Sequence, residues 1–142
     1  MRTKRMLVIL SVLTLLVSCF AGCGQEQEAQ SGYYIYYLNK ECTQNVPVAY
    51  EPQSDSDEEI VRDMIERLSE NPDSVDYQRP FRGNTQIINW TLENRQLQLY
   101  FGSEYYQMDS VTEVLSRAAV VRTLIQVSSV DSISFYVGDA PL

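Results

Sequence analysis

The sequence predicts an α+β domain in which two helices pack on one face of a mostly antiparallel sheet, and three observations carry that prediction. Val111, Val114, Leu115, Ala118, Val121, Leu124 and Ile125 recur at three- and four-residue intervals, the spacing of one side of a helix. Ile60, Val61, Met64, Ile65 and Leu68 repeat the pattern in a shorter stretch. Four segments dense in β-favouring residues, Tyr33–Leu38, Gln86–Trp90, Leu97–Phe101 and Ser132–Val137, are the partners rich enough in apolar residues to cover those helices. In chain order this gives strand, short strand, helix, hairpin, helix and strand, which matches the β-α-β-β-α-β plan in outline.

The N-terminus reads as an export leader. Arg2, Lys4 and Arg5 precede the apolar run Met6–Val17, and the 17 residues from Met6 to Gly22 are short for a membrane span. A cysteine after small residues at the end of such a segment resembles the lipobox of bacterial lipoproteins. Cys23 is preferred as the lipidated residue because it meets the polar run Gly24–Ser31, as a mature tether should. Cys19, preceded by Leu16-Val17-Ser18, is the alternative. The expected organisation is therefore a signal peptide over residues 1–22, a flexible tether over 23–32 and a domain over 33–142, lipid-anchored at the membrane and facing outside the cytoplasm.

Charge narrows the partners. Three of the 11 basic residues fall in the leader and none of the 19 acidic ones does, so a chain starting at Cys23 carries a formal charge of −11. Such a surface repels nucleic acid and is not drawn to anionic headgroups, which leaves membrane contact to the acyl chains. With Cys23 acylated, Cys42 has no intrachain partner and no disulfide framework is expected; with Cys19 acylated instead, a Cys23–Cys42 bridge becomes feasible.

Within the domain, Tyr33–Leu38 lacks polar alternation, as in a strand covered on both faces. Such an aromatic ladder can also stack sugars, but a core must be filled from somewhere and the sheet reading is preferred. Pro47 confines Val46–Tyr50 to an edge. Ser56-Asp-Glu-Glu59 reads as a capping box opening the first helix, and Asn71-Pro72 stops it. Asp55, Asp57, Glu58 and Glu59 fail the calcium-loop template, since Ile60 stands where that loop needs glycine. Asp73–Thr85 is a loop over one end of the domain. Glu93-Asn94-Arg95 marks a hairpin, with Asn94 suited to a left-handed position. Tyr105-Tyr106 pins the connection that follows. Ser110-Val-Thr-Glu113 reads as the capping box of the second helix, and Ile133, Phe135 and Val137 give the last strand one apolar face.

The absence of histidine excludes Ser–His and Cys–His nucleophiles and histidine metal ligands, and no glycine-rich phosphate loop occurs. No cofactor and no metal are expected. A carboxylate pair could still serve a glycosidase, the one enzyme class the composition permits, but the reading is that the chain is not an enzyme.

Ala118-Ala-Val-Val-Arg-Thr-Leu124, followed by Val130-Asp-Ser-Ile-Ser-Phe-Tyr-Val-Gly-Asp-Ala-Pro-Leu142, resembles the C-terminal half of the GerMN domain of GerM-type sporulation and spore germination lipoproteins. Tyr34–Leu38 resembles that family's opening strand, Ile60–Leu68 its first helix and Gln96–Tyr105 its hairpin strand and following turn. The resemblance implies a non-catalytic module, akin to ring-building domains of secretion-type assemblies, that helps assemble or stabilise an envelope protein complex in sporulation or germination. Partner contacts are expected from Tyr105, Tyr106 and Tyr136, with exposed parts of Tyr33–Tyr37, because tyrosine gives contact area at low entropic cost. The alternatives are a ligand-binding lipoprotein with a small apolar pocket and a carboxylate-dependent cell-wall hydrolase.

Overall fold

The computed structural model describes residues 32–142, so the leader, Cys19, Cys23 and nearly all of the expected tether lie outside the described residues. The elements run β1 (Tyr33–Asn39), β2 (Asn45–Tyr50), α1 (Asp57–Ser69), β3 (Tyr77–Gln78), β4 (Ile87–Glu93), β5 (Gln96–Phe101), a 3₁₀ turn (Ser103–Gln107), α2 (Ser110–Leu124), β6 (Ser132–Val137) and β7 (Ala140–Pro141). This is the expected α+β class, with β1, α1, β4, β5, α2 and β6 in the anticipated order.

The strands form two sheets where one was expected. One has the order β2-β1-β3 and the other β4-β5-β6-β7, with every pairing antiparallel except β5 with β6. The reason lies along the part of β1 that β3, paired only at Leu38 and Asn39, leaves uncovered. The Tyr36 N–H donates to Thr123 Oγ1 at 2.9 Å, and the Tyr34 N–H donates to Gln126 Oε1 at 3.0 Å. Gln126 Nε2 in turn donates to the Tyr34 carbonyl at 2.8 Å, so its carboxamide pairs with Tyr34 as a peptide unit of a neighbouring strand would. Side chains from α2 and its C-terminal turn therefore occupy, beside Tyr34 and Tyr36, the place that a strand of the second sheet would take.

Local sequence explains most of the rest. Pro47 sits on the edge strand β2 opposite Tyr36, where its missing N–H breaks no ladder. Asn94 (φ 49°) and Arg95 (φ 65°) both adopt the left-handed region between the paired Glu93 and Gln96, a two-residue hairpin whose twist suits the strands. Arg95 then clasps Asp131 through two nitrogens, tying the hairpin tip to the start of β6. Gly138 (φ 58°) opens the β6–β7 turn.

The core is one cluster shared by both sheets and both helices. It takes Ile35 and Tyr37 from β1, Leu97, Leu99 and Phe101 from β5, Phe135 from β6, and Ile60, Val61, Met64, Ile65 and Leu68 from α1. Phe81, from the loop after β3, meets Phe101 edge-on with ring centres 4.7 Å apart, so that loop plugs one end of the core as anticipated.

The start of α1 differs from expectation. Ser56 is its N-cap residue but makes no side-chain capping bond, and the Glu59 carboxylate instead accepts from Ser54. Asp57, Glu58 and Glu59 still lie in the first turn, where carboxylates complement the positive end of the helix dipole.

Candidate interaction surface

Helix α2 is where sequence and packing part company, and the surface it creates is the most distinctive on the domain. Its cap is one residue earlier than expected: Asp109, not Ser110, accepts from the Thr112 N–H at 3.0 Å. Hydrogen bonding from the Thr112 side chain first, and from its backbone N–H second, holds the Asp109 carboxyl below its ordinary pKa, keeping it charged at the helix N-terminus.

The side turned inward carries Thr112, Ser116, Ala119, Val120, Thr123 and Leu124. Small residues among them, Ser116, Ala119 and Thr123, face the core beside the larger Val120 and Leu124, and the hydroxyls of Ser116 and Thr123 are spent on backbone. Ser116 Oγ donates to the Pro80 carbonyl at 2.5 Å, and Thr123 Oγ1 donates to the Ala119 carbonyl at 2.9 Å while accepting from Tyr36. The expected apolar face is therefore corrected. Of its seven residues Leu124 alone is fully buried. Val111 (68% exposed), Val114 (66%) and Ile125 (41%) face solvent, while Leu115, Ala118 and Val121 are half-buried. Val111, Val114, Ala118, Val121 and Ile125 follow one another at three, four, three and four residues, the spacing of a seam that receives another helix.

Charges lie beside this seam without entering it. The Arg122 guanidinium rests 4.1 Å from the centre of the Tyr36 ring. Glu113 pairs with Arg117 at 3.3 Å and accepts from the Tyr105 hydroxyl at 3.1 Å, and Arg117 also lies over Phe135.

The tyrosines expected at a partner contact separate. Tyr106 is 64% exposed and available. Tyr136 is half-buried, with its ring stacked on Tyr100 at 5.2 Å. Tyr105 is corrected out of the surface: it is 3% exposed, packs against Phe81 and Phe101, and its phenol is pushed up strongly, first by burial. On β1, Tyr37 is buried and parallel to Tyr77, while Tyr33, Tyr34 and Tyr36 are half-buried. The ladder thus serves mainly as core and as a seat for Arg122.

The main concavities are open, and the first two are lined mainly by polar residues. A groove of about 400 Å³ lies between Arg82–Thr85 and Glu104–Thr112. A neighbouring one of about 430 Å³ shares Asn84 and Glu104 with it. Neither has the apolar lining that a small hydrophobic ligand would need. A third, of about 330 Å³, is flanked by Tyr50, Glu59 and Asp63. Here burial and then the hydrogen bond to Asp63 push the Tyr50 phenol up to about 12. At Asp63 burial is the largest influence and raises the carboxyl, but the hydrogen bonds from Tyr50 and Arg67 together outweigh it and the net direction is downward. Asp63 is thus held as a carboxylate, the opposite of a poised general acid. Among the described residues no group of three or more His, Cys, Asp or Glu side chains is placed to hold a metal ion. Among the described residues, too, no helix is long and apolar enough to cross a membrane. Cys42, half-buried at φ 52°, points its thiol at Gln78 Oε1, 3.4 Å away.

Two helices and two mostly antiparallel sheets define an α+β domain. The sequence profile of the Germane family, described as sporulation and spore germination, matches residues 34–142, and the chain belongs to that family. Solved structures agree on the fold. The first GerMN domain of the sporulation protein GerM from Bacillus subtilis is 18% identical and superposes with a TM-score of 0.58, over 80% of this chain and 86% of that one. The tandem GerMN domains of the same protein give 18% identity and a TM-score of 0.56, over 78% of this chain and 40% of theirs. A Clostridium perfringens protein provisionally designated a lipoprotein gives 15% identity and a TM-score of 0.50, over 77% and 74%. Among curated proteins no sequence matches this chain.

Proposed function

We propose that this chain is a membrane-anchored, extracytoplasmic lipoprotein whose Germane domain works without catalysis, helping to assemble or stabilise an envelope protein complex in sporulation or spore germination. The observation that carries the reading is the outward seam of α2. Val111, Val114 and Ile125 are exposed side by side on the outer face of α2, and an aliphatic patch of this kind supports the reading of a surface that another protein covers. The family's description supports the cellular setting. The basic leader, the apolar run and the small residues before Cys23 support the anchor, and the designation of the Clostridium perfringens relative is in keeping with it.

Two experiments test the reading. Affinity isolation of the full chain from sporulating cells should recover an envelope protein, and recovery of none would count against it. Cys23→Ala should release the chain to the medium if Cys23 carries the acyl chains; retention at the membrane would refute that assignment and turn attention to Cys19.

A further inference from the structure

The seam on α2 reads almost alike from either end. Ala118 stands at its centre, Val114 and Val121 flank it, and Val111 and Ile125 close it, so β-branched residues surround one small one in both directions. We propose that this seam is the contact between two copies of the chain, packed with α2 antiparallel to α2 across a two-fold axis close to Ala118. The proposal rests on the reading of α2's outer face as a contact surface and specifies its occupant.

Three considerations select a second copy. A two-fold contact requires a patch complementary to itself, which this near-palindrome supplies and which contact with an unrelated partner would not demand. The small central residue lets two helices approach, and the branched residues on either side can act as knobs entering the facing helix. Charge gives the third. The chain has a formal charge of −8, and like-charged copies repel over most of their surface. The seam itself carries no carboxylate. Glu113 is engaged by Arg117 and Tyr105, Arg122 is drawn aside onto Tyr36, and the acidic run Asp57, Glu58 and Glu59 belongs to α1. The cost of bringing two acidic copies together is therefore small on this side of α2. A 15-residue helix offers less than the roughly 800 Å² per partner of a standard interface, so the pair is weak when dilute and gains where copies are held close together.

The test uses the full chain in the cells that make it. A photo-reactive benzoyl-phenylalanine is placed at position 118 or, as a control, at position 66 on the exposed side of α1, and two differently tagged copies are co-expressed. Irradiation should give a band at twice the monomer mass that contains both tags, from position 118 and not from position 66. Val114→Glu, and separately Ile125→Glu, should lower its yield by at least about tenfold, since each pair would then bury two unpaired carboxylates, while the melting temperature stays at the wild-type value. No two-tag band at position 118, an equal band at position 66, or a product at 118 that holds only another protein or another part of the same copy would overturn the proposal. Recovery of an envelope partner by affinity isolation is a separate readout, so the dimer can fail while the assembly reading stands.

Discussion

Helices α1 and α2 cover the same core by different means. α1 lays five apolar side chains, Ile60, Val61, Met64, Ile65 and Leu68, into the cluster and turns charge to solvent, with Arg62 paired to Glu58 and Arg67 to Asp63. α2 turns in small and hydroxylated residues, bonds them to backbone at Pro80, Ala119 and Tyr36, and leaves branched aliphatics outside. The first helix is held by burial of area. The second adds close approach and satisfied hydrogen bonds to the burial of Val120 and Leu124, and its aliphatic Val111, Val114 and Ile125 stay exposed. The difference separates a helix whose outer face is charged from one whose outer face is aliphatic.

The largest losses should come from truncating large side chains in the shared core. Met64→Ala or Leu68→Ala in α1, and Leu124→Ala in α2, should each cost about 2–5 kcal/mol in denaturant unfolding, since all three residues are fully buried.

A loss of similar kind should follow pH at the flank of α1. Tyr50 donates to Asp63 and its phenol is raised to about 12, so the folded chain holds that proton more tightly than the unfolded one. The stabilisation is complete below the unfolded value of 10 and is lost as pH rises from 10 towards 12, amounting to on the order of 2 kcal/mol. Unfolding midpoints across that range, compared between wild type and Tyr50→Phe, check it. Asp63 has the opposite sign: with its carboxyl held below 3.8, its contribution is present above that value and disappears as pH falls through the lower folded one.

Smaller effects should mark the hydrogen bonds of α2. Thr123→Val keeps the shape but leaves the Tyr36 N–H without its acceptor, and should cost about 1–3 kcal/mol while speeding hydrogen exchange at the Tyr36 amide. Smallest of all, Val114→Ala should move stability by no more than about 0.5 kcal/mol, because the residue is 66% exposed.

The inward face of α1 was legible in the sequence because its apolar residues are large, one-sided and flanked by charge. Pro47 announced an edge strand and Asn94 a left-handed turn, since each restricts the backbone by itself. The orientation of α2 was not legible. Counting aliphatic residues assigns Thr and Ser to the solvent side, yet Thr123 and Ser116 are buried because partners 87 and 36 residues away accept or supply their hydrogen bonds. The division into two sheets was hidden for the same reason, as it depends on Gln126 standing in for a strand beside Tyr34, 92 residues away. Tyr106 is exposed. Its neighbour Tyr105 is turned by the 3₁₀ turn onto Phe81 and Phe101, a placement set by tertiary contacts alone.

The most direct measurement sets two substitutions within one helix against each other. Unfolding free energies of Thr123→Val and Val114→Ala, measured by denaturant titration on the same chain, should differ in the order given by burial, with Thr123→Val about 1–3 kcal/mol less stable than wild type and Val114→Ala nearly unchanged. Loss of stability at Val114 with tolerance at Thr123 would mean that α2 is rotated about its axis, and the outward seam would no longer exist.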